Sequence, residues 1–358
     1  MTERRFLIMA GGTGGHVFPA LATARMLQEK GHHVEWLGSR GGMEERLLAD
    51  SDIPLHLIQV SGLRGKRRAT LLLAPFRLLR ALAQAFAVVR SVRPDCVIGM
   101  GGFAAGPGGL AAYITRKPLV IHEQNAIAGM TNRTLSRFAH TVLEAFPGAF
   151  GEGVVTRCTG NPVRSDVAAL AAPEERMAGR EGPLRLLVVG GSLGAQAINE
   201  RLPQALALMP EQERPKVRHQ CGEKNLEATR DAYQQAGCDA DIEPFIGDMA
   251  AAYGEADLVL CRAGALTVSE LCVAGLGAIL VPFPHAVDDH QAHNAGRMVS
   301  EGAAIMVRQP ELTPQALAEI LTDLSRSKAR DMAVAARRLA RPDATERVVN
   351  YCLEAAHG

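Results

Sequence analysis

The chain has 358 residues, of which 47% are hydrophobic and 22% charged, a globular composition long enough for two domains with separate cores. A formal net charge of only +1 gives no overall basic footprint, so no nucleic-acid partner is expected and any basic surface must be local. The seven cysteines (Cys96, Cys158, Cys221, Cys238, Cys261, Cys272 and Cys352) form no CxxC pair and several lie in apolar runs, which argues against a disulfide framework or a zinc site and for buried thiols.

The first apolar run, residues 6–10, is too short for the core of a secretion signal and reads as a strand that ends in glycines. HVFPALATARMLQEKG then reads as a helix, with Pro19 in its first turn and Gly31 as its stop. A strand follows at 33–37. Residues 62–86 place Leu72, Phe76, Leu79 and Leu82 at helix-like spacing, flanked by Lys66, Arg67, Arg68, Arg77 and Arg80. Two readings stay open for that stripe. It either lies on an anionic bilayer surface or packs on the sheet as an ordinary helix face. Residues 96–115 are uncharged and long enough to span a bilayer. Six glycines and Pro107 break them into strand, loop and helix, so no transmembrane segment is expected. Strands at 96–100 and 119–122 show no polar alternation, as in a parallel sheet covered on both faces.

The second half starts over. A strand at 184–189 again runs into glycines, and a helix follows with Ile198, Leu202 and Leu206 on one face and a break or restart expected at Pro203. Further strands are expected at 217–220, 243–246, 258–261 and 278–283. The fold class is therefore α/β, with two doubly wound halves that each open as strand, glycine loop and helix. The linker is placed near residues 147–164, where Gly, Pro and Asn gather. A last helix is expected after Pro342, with Asp343 as N-cap and Glu346 three residues on.

Five clusters carry the chemistry. GGTGGH, residues 11–16, is a glycine turn after a strand, where backbone amides and a helix N-terminus favour an anion. A dinucleotide site is the rival, with Glu35 about where a ribose-binding acid belongs, but Val17 stands where the third glycine of GxGxxG is required. His16 near that helix start is expected neutral, because the helix dipole disfavours imidazolium. It is either a base or a helix-cap histidine. GGFAAGPGG, residues 101–109, is a second anion cradle or a tight packing turn. GGSLGA, residues 190–195, repeats the glycine turn in the second half, with Ser192 as a phosphate donor. CRAGALTVSE, residues 261–270, opens a helix at about Ala265 whose amides suit a diphosphate, with Glu270 placed for ribose hydroxyls or else on a solvated face. PFPHAVDDHQAHNA, residues 282–295, offers Asp289, Gln291 and Asn294 for sugar hydroxyls. Its His285, Asp288, Asp289, His290 and His293 also raise a metal site. Asp239 and Asp241 mimic a metal-binding DxD, but a solvated loop before a strand is expected there.

GGTGGHVFPA, GMGGFAAGPGG, HEQNAIAG, GNPVR, GGSLGA, CRAGALTVSE and VPFPHAVDDHQAHNA occur in one order over almost the whole chain. Together they resemble the MurG family, bacterial glycosyltransferases that complete the lipid-linked peptidoglycan precursor. The resemblance implies a GT-B fold, in which donor and acceptor meet between two Rossmann-like domains. These are 1–163, which binds acceptor and membrane and onto which a helix at 343–358 packs back, and 164–342, which binds the UDP-sugar. It implies inverting transfer of N-acetylglucosamine from UDP-N-acetylglucosamine to the muramoyl 4-hydroxyl of undecaprenyl-diphospho-N-acetylmuramoyl-pentapeptide. No cofactor is implied.

By motif, Thr13, Gly14, Gly15, Asn125, Arg164, Ser192, Ile246, Ala265, Leu266, Thr267, Val268, Ser269, Glu270 and Gln291 fall to the donor. Ile246 holds uracil through its backbone and Glu270 holds the ribose. Gly102, Gly106 and Gly108 fall to the acceptor, and His16 is the candidate base. Leaving-group charge falls on the Ala265 helix start and Ser192, with Arg262 either assisting or structural, an arrangement able to replace a metal ion. Leu193 and Ala128 depart from residues common in relatives, Gln and Pro respectively. A lipid acceptor places the chain peripherally on the anionic cytoplasmic face of the inner membrane, beside other proteins of cell-wall synthesis. Rivals are another GT-B transferase acting on a membrane lipid, such as a diacylglycerol glucosyltransferase, a sugar-nucleotide epimerase, and a non-catalytic sugar-nucleotide sensor.

Overall fold

The structure, a computed structural model, describes residues 2–49, 51–60, 74–191 and 194–357. The chain divides into two compact units, Met1–Arg164 with Asp343–Gly358, and Ser165–Pro342.

Among the described residues, the first unit holds seven parallel strands: β1 (Arg5–Met9), β2 (His33–Ser39), β3 (Leu55–Ile58), β4 (Cys96–Gly99), β5 (Leu119–Glu123), β6 (Thr141–Glu144) and β7 (Arg157–Cys158). Their order is β3-β2-β1-β4-β5-β6-β7. Phe6 pairs with Val34 on one side and Cys96 on the other, so the strand order reverses between β1 and β4. Ligands of open α/β sheets bind beyond the carboxyl ends of the strands at such a switch point.

The two faces of the sheet build two cores. One gathers Phe6, Ile8, Trp36 and Ile98 with Val348, Val349 and Cys352 of the returning helix Ala344–His357. Full burial of each such aliphatic side chain contributes about 1.5–3 kcal/mol, which ties the end of the chain into the first unit. The other core gathers Leu7, Met9, Val97 and Ile121 with Ala81, Ala85 and Val89 of the helix Ala74–Val92.

The second unit holds, among the described residues, β8 (Arg185–Val189), β9 (Lys216–Gln220), β10 (Asp241–Glu243), β11 (Leu258–Cys261), β12 (Gly277–Leu280) and β13 (Ala304–Met306), ordered β10-β9-β8-β11-β12-β13. All pairs are parallel, and the switch point lies between β8 and β11.

Several expectations shift. The first helix runs Gly14–Glu29 and starts before His16, so Pro19 lies inside it rather than in its first turn. Thr23 Oγ1 donates to Pro19 O at 2.9 Å there. Pro203 does not break its helix, which runs unbroken over Gln196–Ala207 with Pro203 buried. The strand expected at 243–246 is Asp241–Glu243 instead. Pro244 has no N–H for the ladder, and Asp241 is the strand's first residue rather than part of a loop. The first unit's main segment ends at Arg164, and the residues that lead up to it are tied to the sheet. Glu144 accepts from Gly148 N at 3.1 Å, Ala149 N at 3.0 Å and Thr156 Oγ1 at 2.9 Å, and β7 pairs with β6. The uncharged stretch 96–115 divides into β4 and the helix Ala105–Ile114, and among the described residues no helix is long and apolar enough to cross a membrane. All seven cysteines are free thiols, and burial pushes Cys96, Cys261 and Cys272 up to about 12.

Candidate functional site

In the first unit, β1 delivers the chain into Gly11 and Gly12. Gly12 adopts φ +90°, a conformation that disfavours any side chain. Thr13 then caps the helix, and His16 N–H donates to Thr13 O at 3.0 Å. His16 Nδ1 lies 3.3 Å from Thr13 Oγ1. The loop after β4 closes against this turn. A Cβ on Gly101 would stand 2.6 Å from His16 Cδ2, and one on Gly102 would stand 2.4 Å from Gly11 O. The two glycine loops are thus interlocked backbone to backbone, with the half-buried His16 ring in the seam. Gly106 is partly exposed on the next helix. Gly108 is different. It is buried, and a Cβ there would stand 2.1 Å from Met9 Sδ, so this glycine lets the helix pack on β1 and β2.

Sequence reasoning missed the buried side chains that hold these loops. Glu44, fully buried, accepts from Gly12 N at 3.3 Å, Ser39 N at 2.7 Å and Ser39 Oγ at 2.8 Å. The glycines at 11, 38 and 42 make room for its carboxylate. Glu123, at the end of β5, accepts Asn125 N and Nδ2 at 3.0 Å each, Gly129 N at 3.1 Å and Asn132 Nδ2 at 2.8 Å. It fixes the loop that carries Asn125. His122 is buried between Gly160 O at 2.9 Å and Gln124 Nε2 at 3.1 Å, and burial holds its pKa down at about 4. The only legible signal for these groups was an acid beside glycines or at a strand end. Arg164 closes the first unit. Glu35 lies mid-strand in β2 with Oε2 2.6 Å from His56 Nε2, away from the strand end where a ribose would be held.

In the second unit, the turn after β8 uses Gly191 at φ +76° and Gly194 at φ +73°. Ser192 and Leu193 lie outside the described residues. A Cβ on Gly194 would stand 2.4 Å from Cys221 O. After β11, Gly264 caps the helix Ala265–Ala274, whose first internal bond is Val268 N–H to Gly264 O at 2.9 Å. The amides of Leu266 and Thr267 precede that bond and point out of the helix start, where anions are favoured. Ser269 Oγ donates back to Ala265 O at 3.0 Å. Glu270 is buried rather than on a solvated face, and its Oε2 accepts from Tyr253 Oη at 3.1 Å.

Arg262 is committed elsewhere. It donates to Val281 O at 3.2 Å, Pro282 O at 3.3 Å and Gln309 Oε1 at 2.6 Å, and stacks over Phe283. Of its two readings, the structural one describes this geometry. Gln291 Oε1 accepts Phe283 N at 2.8 Å, and Asn294 Nδ2 donates to Ala263 O at 3.2 Å, so both brace strand-end loops. Asp289 pairs with Arg308 at 2.8 Å. Among the described residues no group of three His, Cys, Asp or Glu is placed to hold a metal ion. Ile246 is buried behind the exposed Phe245 in the loop after β10.

The basic apolar stripe resolves in part. Phe76 is 72% and Leu79 63% exposed, while the core face of their helix is Ala74, Ala81, Ala85, Val89 and Val92. Leu82 is half-buried against that core. Leu72 lies outside the described residues.

Two parallel-sheet α/β units, each with a glycine turn at its switch point, make a GT-B-like glycosyltransferase fold. It matches the crystal structure of Acinetobacter baumannii MurG with a TM-score of 0.85 and 45% identity, over 98% of this chain and 99% of that one. A kitacinnamycin glycosyltransferase (TM-score 0.71, 16% identity, 99% of this chain and 100% of that one) shares the fold alone. Residues 6–144 match the glycosyltransferase family 28 N-terminal domain and residues 185–348 its C-terminal domain. The chain belongs to glycosyltransferase family 28. It is 72% identical, over 99% of both chains, to the UDP-N-acetylglucosamine--N-acetylmuramyl-(pentapeptide) pyrophosphoryl-undecaprenol N-acetylglucosamine transferase of Marinobacter nauticus. It is 56% identical, again over 99% of both, to the protein of the same name from Hahella chejuensis.

Proposed function

We propose that the chain transfers N-acetylglucosamine, with inversion, from UDP-N-acetylglucosamine to the muramoyl 4-hydroxyl of undecaprenyl-diphospho-N-acetylmuramoyl-pentapeptide, a step of peptidoglycan synthesis. The observation that carries this is 72% identity along practically the whole length to a transferase of that name. The placing of the glycine turns at both switch points supports it.

The second unit takes most of the donor. Ile246 presents backbone to uracil, Glu270 accepts from the ribose, and the amides at Ala265–Thr267 with Ser192 face the diphosphate. Val268 and Ser269 continue that helix turn, and Gln291, whose Oε1 accepts from Phe283 N at 2.8 Å, joins the donor contacts. Thr13, Gly14, Gly15, Asn125 and Arg164 complete the donor contacts from the first unit, and Gly102 and Gly106 serve the acceptor. His16 is the base. Its Nδ1 lies 3.3 Å from Thr13 Oγ1, and in the tautomer that donates Nδ1–H to that oxygen it is Nε2 that takes the acceptor's proton as UDP leaves. Helix-start amides stabilise the leaving diphosphate, so the scheme uses no metal or cofactor. Phe76 and Leu79, exposed beside Arg77 and Arg80, meet an anionic membrane surface on its cytoplasmic side.

The test is transfer of labelled N-acetylglucosamine from its UDP donor to a short-chain analogue of the lipid-linked muramoyl-pentapeptide, with and without chelator. Transfer that survives chelation is expected. UDP binding without transfer would move the acceptor to another lipid or the chain to a sensing role.

A further inference from the structure

Gln220 closes β9 and is 4% exposed. Its side chain makes three bonds to two loops. Oε1 accepts from Gly191 N at 3.0 Å, Nε2 donates to Gly191 O at 3.1 Å, and Nε2 donates again to Pro244 O at 2.9 Å. Its backbone adds a fourth tie, since Gln220 O accepts from Gly190 N at 3.0 Å. Gly191 belongs to the turn that follows β8. Pro244 opens the loop that follows β10 and leads to Ile246. These loops are more than 50 residues apart in sequence, and β9 lies between their strands in the sheet.

We infer that Gln220 is a positioning residue that couples Gly190 and Gly191, where the glycine turn leaves β8, to the loop at 244–246, so that one buried amide sets the spacing between the diphosphate and uracil contacts of the donor. This rests on the proposed donor reading and adds a residue to it. The chemistry suits an amide and little else. The site needs one acceptor and two donors, in a fixed plane, and only a primary amide supplies both without charge. A carboxylate of the same shape would turn an acceptor towards Gly191 O and Pro244 O. A methionine would leave Gly191 N–H, Gly191 O and Pro244 O without that partner, at the cost of unmade buried hydrogen bonds. Because β9 is framework and Gln220 faces the loops, the loss falls on donor binding rather than on the acceptor.

The experiment compares the full chain with Gln220→Met and Gln220→Glu, each checked for a cooperative thermal transition, by calorimetric titration with UDP and with uridine at pH 8, 7 and 6. Gln220→Met is expected to weaken UDP by about tenfold, a change equivalent to 1.4 kcal/mol, equally at all three pH values. Uridine should weaken too, because the uracil loop shifts. Gln220→Glu is expected to weaken UDP at pH 8 and to recover towards the parent at pH 6, since its protonated carboxyl regains a donor. In transfer assays the donor KM should rise in both variants while the acceptor KM stays within about twofold of the parent, a split that general loosening of the fold does not produce. UDP affinity of Gln220→Met within twofold of the parent would overturn the inference, whatever the Glu variant does. An equal rise in both KM values would overturn it as well. Absence of UDP binding by the parent chain would overturn the donor reading and the coupling together.

Discussion

After β1, the glycine turn leans on a second glycine turn and on the carboxylate of Glu44. After β8, the corresponding turn leans on amides, with Gln220 bonded to Gly191 and Asn225 Nδ2 bonded to Cys221 O at 3.0 Å beside Gly194. The two halves repeat one topology and brace it with opposite chemistry. A carboxylate accepts several N–H groups at once and fixes a backbone firmly, but it puts an acid beneath the turn and makes Gly12 a poor place for a diphosphate. A neutral amide fixes the backbone and leaves the field around the turn open to a polyanion. The comparison teaches that a glycine-rich turn is not in itself a phosphate site, since the side chain behind it decides what charge it tolerates. On the proposed function it assigns the UDP diphosphate to the second unit, and in the first unit it favours the Gly102 and Gly106 side for the acceptor.

The sharpest way to break this division is His16→Ala. Turnover should fall by roughly 10²–10⁴ while UDP affinity, measured by titration, stays near that of the parent. Near-normal turnover would remove His16 as the base. Two fully buried histidines, one in each unit, test whether both halves respond alike to acid. Burial holds His122 at about 4 and His219 at about 3, against the ordinary 6.5. Between those values the unfolded chain binds the proton and the folded chain does not. The stability is therefore fully present above about pH 6.5 and is lost as pH falls towards 4 for His122 and towards 3 for His219, on the order of a few kcal/mol each. Thermal unfolding followed from pH 8 to pH 4 should show this decline, and a flat midpoint across that range would contradict it.

Alanine at the paired glycines sharpens the contrast. Gly102→Ala and Gly194→Ala each place a Cβ 2.4 Å from a backbone oxygen at positive φ, and each should cost about 1–3 kcal/mol in denaturant unfolding. Their functional effects should divide, with Gly194→Ala weakening UDP and Gly102→Ala lowering transfer at unchanged UDP affinity. Identical effects of the pair would erase the distinction between the turns. Glu270→Gln should raise the UDP dissociation constant by about tenfold, the loss of one charge-assisted hydrogen bond, with little change for UDP lacking its ribose hydroxyls. Phe76→Ser with Leu79→Ser should give the smallest effect, a weakening of binding to anionic vesicles by about fivefold to tenfold, with soluble-acceptor turnover retained. Unchanged vesicle binding would leave those exposed side chains without a membrane role.

The alternation of apolar runs and glycine turns determined the α/β class, the doubling of the fold and the place of every glycine loop at a strand end, because a buried parallel strand needs an unbroken apolar run and a tight turn needs glycine. The strands β3, β6, β7 and β13 were not legible. They are short or lie at or near sheet edges, where half-buried residues break the apolar pattern. Pro203 misled for a related reason, since local propensity forbids what a buried helix face tolerates. The site divided in the same way. His16, Asn125, Glu270 and the Ala265 helix start stand in motifs that sequence displays, whereas Glu44, Tyr253 and Gln220 act across 17 to 32 residues of chain through hydrogen bonds. Only tertiary structure could show that Gly108 packs, that Arg262 braces a strand end and that Phe76 faces outward. A side chain's partner depends on which strands the sheet has brought together, and that order is a long-range property of the fold.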